Sequence, residues 1–277
     1  MKKILSLFLL LVTMACHELP NSTETYIQNT ENEKIYLKAE GLQNAQYHKL
    51  AFIQHGLASN MDHQAVQAAK RAFLAHHYVV ITFDARHSLG NSDNNVMAVS
   101  LDSFEEDLKT VIAWAEKQPY YQEPFALAGH SLGGAAVLQY SAKNPEKVGI
   151  LIPITPVISG KLWEKSCMEN MQDFCLKWKA DGFYTYQDSK NHKIAMIPYN
   201  VVRKTANYDA NDLTPTITAN TLIIAAENDV VIATDDIQTV NNKIKNGHTV
   251  TIFASGHNFE TPQNQSDLYN VIDNFLQ

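Results

Sequence analysis

Ser131 stands in Gly129-His130-Ser131-Leu132-Gly133-Gly134, a spacing that could perform nucleophilic attack on a carbonyl. The short apolar run Phe125 to Ala128 precedes it, and the helix-like run Ala135 to Lys143 follows it. A serine at so sharp a strand-to-helix turn is held in a strained conformation with its Oγ exposed. Glycines at 129 and 133 remove the Cβ atoms that would clash there. The following helix aims its first N–H groups at the place where negative charge develops. Alone, the pattern recurs on ordinary loops, so the rest of the chain must supply partners.

A serine hydroxyl is a poor nucleophile until a neighbouring base takes its proton. Among the 11 histidines, His257 is the best placed. It lies in Ser255-Gly256-His257-Asn258-Phe259, between the last strand-like and the last helix-like runs. An acid to orient it is offered by Glu227-Asn228-Asp229, after the apolar run Thr221 to Ala226. Asp229 is favoured, Glu227 is the fallback, and Asp235 or Asp236 read as helix caps. Two backbone donors are needed for the oxyanion. One is the N–H of Leu132. The other is the N–H of Leu57, in the turn His55-Gly56-Leu57 after the strand-like run Lys49 to Gln54. Gly56 lets the backbone come close, and His55 reads as a brace for that loop.

These residues need elements to carry them. Lys34 to Glu40 reads as an edge strand, and Tyr78 to Phe83 as a buried strand. Met61 to His76 reads as a helix with Asp62 as its N-cap. Leu101 to Gln118 is amphipathic, with Leu101, Phe104, Leu108, Val111, Ile112 and Ala115 along one side. Val148 to Ile152, Thr221 to Ala226 and Thr249 to Phe253 read as further strands, Asp235 to Ile244 and Ser266 to Phe275 as helices. This alternation predicts an α/β fold, a mostly parallel sheet with helices on both faces. The stretch from about residue 154 to 214 breaks the rhythm. Roughly sixty residues exceed an ordinary connection, and they predict an inserted cap subdomain. Its Trp163, Met171, Phe174 and Trp178 are candidates for an apolar substrate pocket. Met168, Phe183, Tyr184 and Tyr186 enrich the same stretch.

The chain has 277 residues, 45% hydrophobic and 18% charged, enough for one large domain with an insertion. A net charge of −7 without a Lys/Arg cluster argues against nucleic acid as a partner. At the N-terminus, Lys2-Lys3, the apolar run Ile4 to Val12 and Thr13-Met14-Ala15 read as an export signal over residues 1–15. With Cys16 next, the segment resembles a bacterial lipoprotein signal, although Thr13 stands where leucine is usual. Plain secretory cleavage is the alternative. Lipidation of Cys16 would anchor the protein to a membrane of the cell envelope; without it the protein would be periplasmic or secreted. Residues 16–33 read as a tether, and the domain is expected over 34–277. Cys167 and Cys175 are then left as a pair. One continuous helix would hold them about 12 Å apart, whereas a disulfide needs Cα atoms within about 7 Å. A bridge requires a break between them, and two free thiols stand equally open.

Taken together, these motifs resemble the α/β-hydrolase superfamily. The nearest branch holds monoacylglycerol lipases, lysophospholipases and serine aminopeptidase-like hydrolases. The matching pieces are His55-Gly56, Phe83-Asp84-Ala85-Arg86-His87-Ser88-Leu89-Gly90-Asn91-Ser92, Gly129 to Gly134, Glu227-Asn228-Asp229 and Gly256-His257, in family order. The resemblance implies a chain order of serine, acid, histidine, hence the triad Ser131, Asp229, His257. It implies structural roles for Asp84 and Arg86. In the family the second block usually reads Asp-x-Arg-Gly-x-Gly-x-Ser; here His87 replaces the first glycine, which affects a turn of the site wall.

The expected activity is hydrolysis of a small-molecule carboxylic ester, acyl or aryl and of modest size, through an acyl-enzyme. Neither metal nor organic cofactor is implied: His76-His77 and His130 lack H-E-x-x-H spacing. An aminopeptidase would need cap carboxylates for a substrate ammonium, and Glu164, Glu169 and Asp173 keep that alternative open. Acyl transfer with the same triad is another, and a non-catalytic ligand-binding protein of this fold is a third.

Overall fold

The computed structural model describes residues 21–187 and 192–277. The expected signal, Cys16 and the start of the expected tether lie outside them. Eight strands form one sheet in the order β1-β2-β4-β3-β5-β6-β9-β10. They are β1 (Ser22–Gln28), β2 (Lys34–Glu40), β3 (Leu50–Gln54), β4 (Val79–Asp84), β5 (Phe125–His130), β6 (Val148–Ile154), β9 (Asn220–Ala226) and β10 (Gly247–Ile252). From β4 to β10 all neighbours are parallel; β2 runs antiparallel to both β4 and β1.

Each central strand divides its side chains between two apolar layers, as the period of two demands. Phe52, Ile81 and Leu127 join one layer with Leu108, Val111 and Leu138 of α2 (Leu101–Ala115) and α3 (Leu132–Lys143). Ile237 and Val240 of α7 (Thr234–Asn241) extend that layer. Ile53, Val80 and Ala128 join the other, with Val66, Ala69, Phe73, Leu268 and Ile272 of α1 (Gln64–Ala75) and α8 (Pro262–Phe275). The fold is the mostly parallel, helix-covered sheet that the alternation predicts.

Two boundaries differ from expectation. Residues 22–28 are not a tether: β1 pairs with β2 along its full length, from Ser22 against Glu40 to Gln28 against Lys34. A strand at the edge keeps its polar side chains in water and needs only its backbone bonds and the buried Ile27. Strand β2 is therefore internal. The second difference is at α1, which is capped by His63, its ring accepting the Ala65 N–H at 3.2 Å, and not by Asp62.

Between β6 and β9 the chain leaves the sheet. It forms α4 (Gly160–Asn170), α5 (Gln172–Asp181), the hairpin β7 (Phe183–Gln187) and β8 (Ile194–Pro198), and α6 (Asn200–Thr205). Helices α4 and α5 are separated by Met171, whose backbone (φ −140°, ψ 45°) is neither helical nor extended. That break brings the Cα atoms of Cys167 and Cys175 to 5.9 Å, and the two are joined as a disulfide. Closing an eight-residue separation should contribute about 2–3 kcal/mol by restricting the unfolded chain. Cys167→Ser/Cys175→Ser is therefore expected to lower Tm by roughly 4 °C. Thermal unfolding followed by tryptophan emission checks this, and an unchanged Tm would contradict it.

Candidate active site

Every candidate catalytic residue lies beyond the carboxyl end of a parallel strand, where open α/β sheets bind ligands. Ser131 ends β5 and opens α3 with φ 53° and ψ −116°, a conformation that costs an L-residue roughly 1–3 kcal/mol. The surroundings hold it there. Its N–H donates to Ile154 O at 2.9 Å, and its carbonyl accepts from Ala135 and Val157 at 3.1 and 3.0 Å. The neighbouring glycines are dictated by space. A Cβ on Gly133 would sit 2.3 Å from His55 O, and one on Gly129 2.4 Å from Gly133 O.

His257 follows β10 and brings its Nε2 to 2.9 Å from Ser131 Oγ. Its Nδ1 lies 2.7 Å from Asp229 Oδ2. The Asp229 side chain is fully buried, and its Oδ1 accepts the Val231 and Ile232 N–H groups at 2.8 and 2.9 Å. Those bonds satisfy a buried carboxylate and fix its second oxygen toward the ring. Glu227 points elsewhere: it is exposed and accepts the Ala254 N–H at 2.8 Å. Asp235 and Asp236 fall in the first turn of α7.

Both backbones expected to bind an oxyanion lie against this group. Leu132 is buried and is the first residue of α3, so its N–H has no carbonyl partner within the helix. Leu57 follows Gly56, where a Cβ would approach Ser131 Cβ to 2.9 Å. His55 is neutral and wholly buried: Nε2 accepts the Ala85 N–H at 2.8 Å, so Nδ1–H donates to Gly56 O at 2.7 Å. Burial lowers its pKa, in keeping with a brace and not a base.

The second motif block is structural. Asp84 accepts from the N–H groups of Met61 and Asn91 at 2.8 and 2.7 Å. Arg86 is buried against Asp107, at 2.5 Å, and also pairs with Glu106 and with Glu33 of the β1–β2 turn. His87, where the resembling families carry glycine, has φ 61°. The turn therefore keeps the left-handed geometry that glycine adopts freely, with a side chain in its place.

A cavity of about 390 Å³ opens over Ser131 and His257. Trp163, Met171, Phe174 and Trp178, the four pocket candidates, all line it, with Tyr184 and Tyr186 beside them. The rings pack edge to face: Trp178 and Tyr184 centroids are 5.0 Å apart at 86°, Phe174 and Tyr184 5.1 Å apart at 68°. Polar residues outside the cap also line it, and the sequence gives no sign of them: Asn60, His63, Gln64, Asn258 and Glu260. They belong to loops and a helix start, where polar residues are the rule and carry no pattern. The cap carboxylates do not line the cavity. Glu164 is bound by Lys179 at 2.8 Å and by the Tyr199 hydroxyl at 2.6 Å, which hold its pKa down. Glu169 and Asp173 are exposed. No metal-binding cluster of His, Cys, Asp or Glu occurs among the described residues.

Comparison with known proteins agrees with this architecture. A family model described as serine aminopeptidase, S33, matches residues 45–214, a span that includes Ser131 and ends before Asp229 and His257. An uncharacterized hydrolase of Bacillus subtilis, YraK, is 29% identical over 86 residues; the match covers 31% of this chain and 30% of that protein. Among solved structures, Est1E from Butyrivibrio proteoclasticus with ferulic acid bound superposes with TM-score 0.72 at 18% identity, over 91% of this chain and 97% of that one. The Pyrococcus furiosus esterase Pf2001 gives 0.70 at 14% identity, over 92% and 89%. Mouse alpha/beta hydrolase domain-containing protein 10 gives 0.68 at 18% identity, over 92% and 98%. At such identities these structures speak for the fold, while the family match spans more than half of the chain. The chain belongs to the serine aminopeptidase S33 family of α/β-hydrolases.

Proposed function

We propose that the protein is a serine esterase that cleaves acyl or aryl esters of modest size through an acyl-enzyme intermediate. The observation that carries this reading is the unbroken hydrogen-bonded series Ser131–His257–Asp229 beneath an aromatic-walled cavity. In this mechanism His257 Nε2 takes the Ser131 proton as Oγ attacks the ester carbonyl. Asp229 holds the ring and stabilises its cation. The N–H groups of Leu57 and Leu132 receive the negative charge of the tetrahedral oxygen. His257 then protonates the leaving alcohol, and a water activated the same way releases the acid.

Esters are favoured over peptides by the cap. An aminopeptidase needs carboxylates facing a substrate ammonium; the cap's Glu164, Glu169 and Asp173 do not border the cavity, and the carboxylate that does, Glu260, lies outside the cap and accepts the Asn258 N–H at 3.3 Å. The neighbour structure holding ferulic acid is consistent with an aryl acid fitting such a space. A panel of p-nitrophenyl esters from short to long acyl chains, beside aminoacyl-naphthylamides, tests the choice. Faster turnover of the naphthylamides would reverse it. Failure of a fluorophosphonate to label the folded protein at all would favour a non-catalytic ligand-binding protein instead. We further propose that the chain is exported and lipid-anchored through Cys16; intact-mass measurement of the mature protein should find Cys16 first and lipidated.

A further inference from the structure

The loop that carries His257 is not anchored by secondary structure. It follows β10 at the sheet edge, and its neighbours Phe253, Ala254 and Asn258 are exposed. Yet a base that must stay within about 3 Å of its proton cannot wander, since a shift of 1 Å in such a group can cost about 10²-fold in rate. Besides Asp229 on the ring and Glu227 on the Ala254 N–H, side chains from three further parts of the chain reach the backbone at His257 and Asn258. His130 Nε2 lies 2.9 Å from the His257 carbonyl oxygen. Thr155, just past β6, donates its hydroxyl to the same oxygen at 3.3 Å. Gln64, at the start of α1, donates Nε2–H to the next carbonyl, that of Asn258, at 2.7 Å.

We propose that His130, the variable residue of the G-x-S-x-G sequence, is a positioning residue for the proposed base: its Nε2–H and the Thr155 hydroxyl clamp the His257 carbonyl and so hold the ring on Ser131. This rests on the triad reading. Only a neutral His130 protonated at Nε2 fits. A carbonyl can only accept, so Nε2 must donate, and the buried Nδ1 has no hydrogen-bond partner for a second proton. Burial, with His63 and His257 next to it, keeps the pKa of His130 well below the usual imidazole value. The ring has little room to turn: it stacks on His63 at 4.6 Å and 19°, and meets Phe259 edge-on at 6.4 Å. Thr155 is placed at a cost, with φ 39° in a β-branched residue. One short peptide thus receives donors from β5, from the residue after β6 and from α1 at two successive carbonyls. Because His130 adjoins Ser131 in the chain, the turn that presents the nucleophile also holds the base.

The test compares variants that keep or lose the donor. His130→Phe keeps a ring and removes the N–H; His130→Gln keeps an amide donor of similar reach. His130→Phe should lower kcat for p-nitrophenyl butyrate about 10- to 100-fold, with KM within about threefold, and His130→Gln should recover at least about fivefold of that loss. Thr155→Val should lower kcat about three- to tenfold, with Thr155→Ser restoring it. If His130→Phe does not fold, the Thr155 pair decides. Unchanged kcat in folded His130→Phe, equal loss in His130→Phe and His130→Gln, or no loss in Thr155→Val when His130→Phe does not fold would overturn the clamp. His257→Ala separates the two readings. If it stays active the triad itself is wrong; if it is dead while His130→Phe is normal, only the clamp fails.

Discussion

Ser131→Ala should lower kcat for p-nitrophenyl butyrate by about 10⁶-fold, leaving the slow hydrolysis that binding and the oxyanion donors alone provide. The loss is expected to be chemical and not structural. Alanine keeps the Cβ that packs near Gly56, and it removes only the Oγ that reaches His257. Circular dichroism and Tm should therefore match the parent protein, while fluorophosphonate labelling should vanish. Turnover above about 1% of the parent rate, or a label found on another residue, would remove Ser131 from the mechanism. The strained φ of 53° adds a second reading of the same position. Ser131→Gly relieves that conformation and should raise stability by about 1 kcal/mol while abolishing activity, the trade expected where an active site stores strain.

Asp229→Asn should cost about 10⁴-fold in kcat. The buried Asp229 accepts three donors: the His257 Nδ1–H and two backbone N–H groups. An amide can keep the two backbone bonds only with its oxygen on that side, which turns its NH2 toward His257 Nδ1. The ring must then present a lone pair at Nδ1 and carry its proton at Nε2, where it cannot take one from Ser131. Glu227→Gln is the control, two residues away in the same loop. Its carboxylate meets only the Ala254 N–H among the described contacts, so kcat should stay within about threefold. Steady-state kinetics on both variants decide between the two acids, and a reversed order of effects would move the role to Glu227.

The legible part of this molecule was the part fixed by steric necessity. No residue larger than glycine fits at 129 or 133, so the elbow announces itself in the letters, and the alternating apolar runs betray the buried strands. Strand β1 has no such signature. Seven residues with a single buried side chain, Ile27, read as solvent-exposed chain because their reason for being a strand is a partner backbone. The Cys167–Cys175 bridge needed a break that Met171 supplies through its backbone, not its identity. The polar residues lining the cavity and the contacts of His130 and Thr155 were also invisible. The two bonds to the His257 carbonyl span 127 and 102 positions, and single polar residues leave no period to read.

Cys167 is both half of the disulfide and part of the cavity wall. Breaking that bond would therefore free one wall of the space offered to a substrate. Protein made in a reducing cytoplasm and protein made in an oxidising compartment would share a sequence and a reactive serine, yet present differently held cavity walls. A substrate profile should therefore be measured with the state of this bond known.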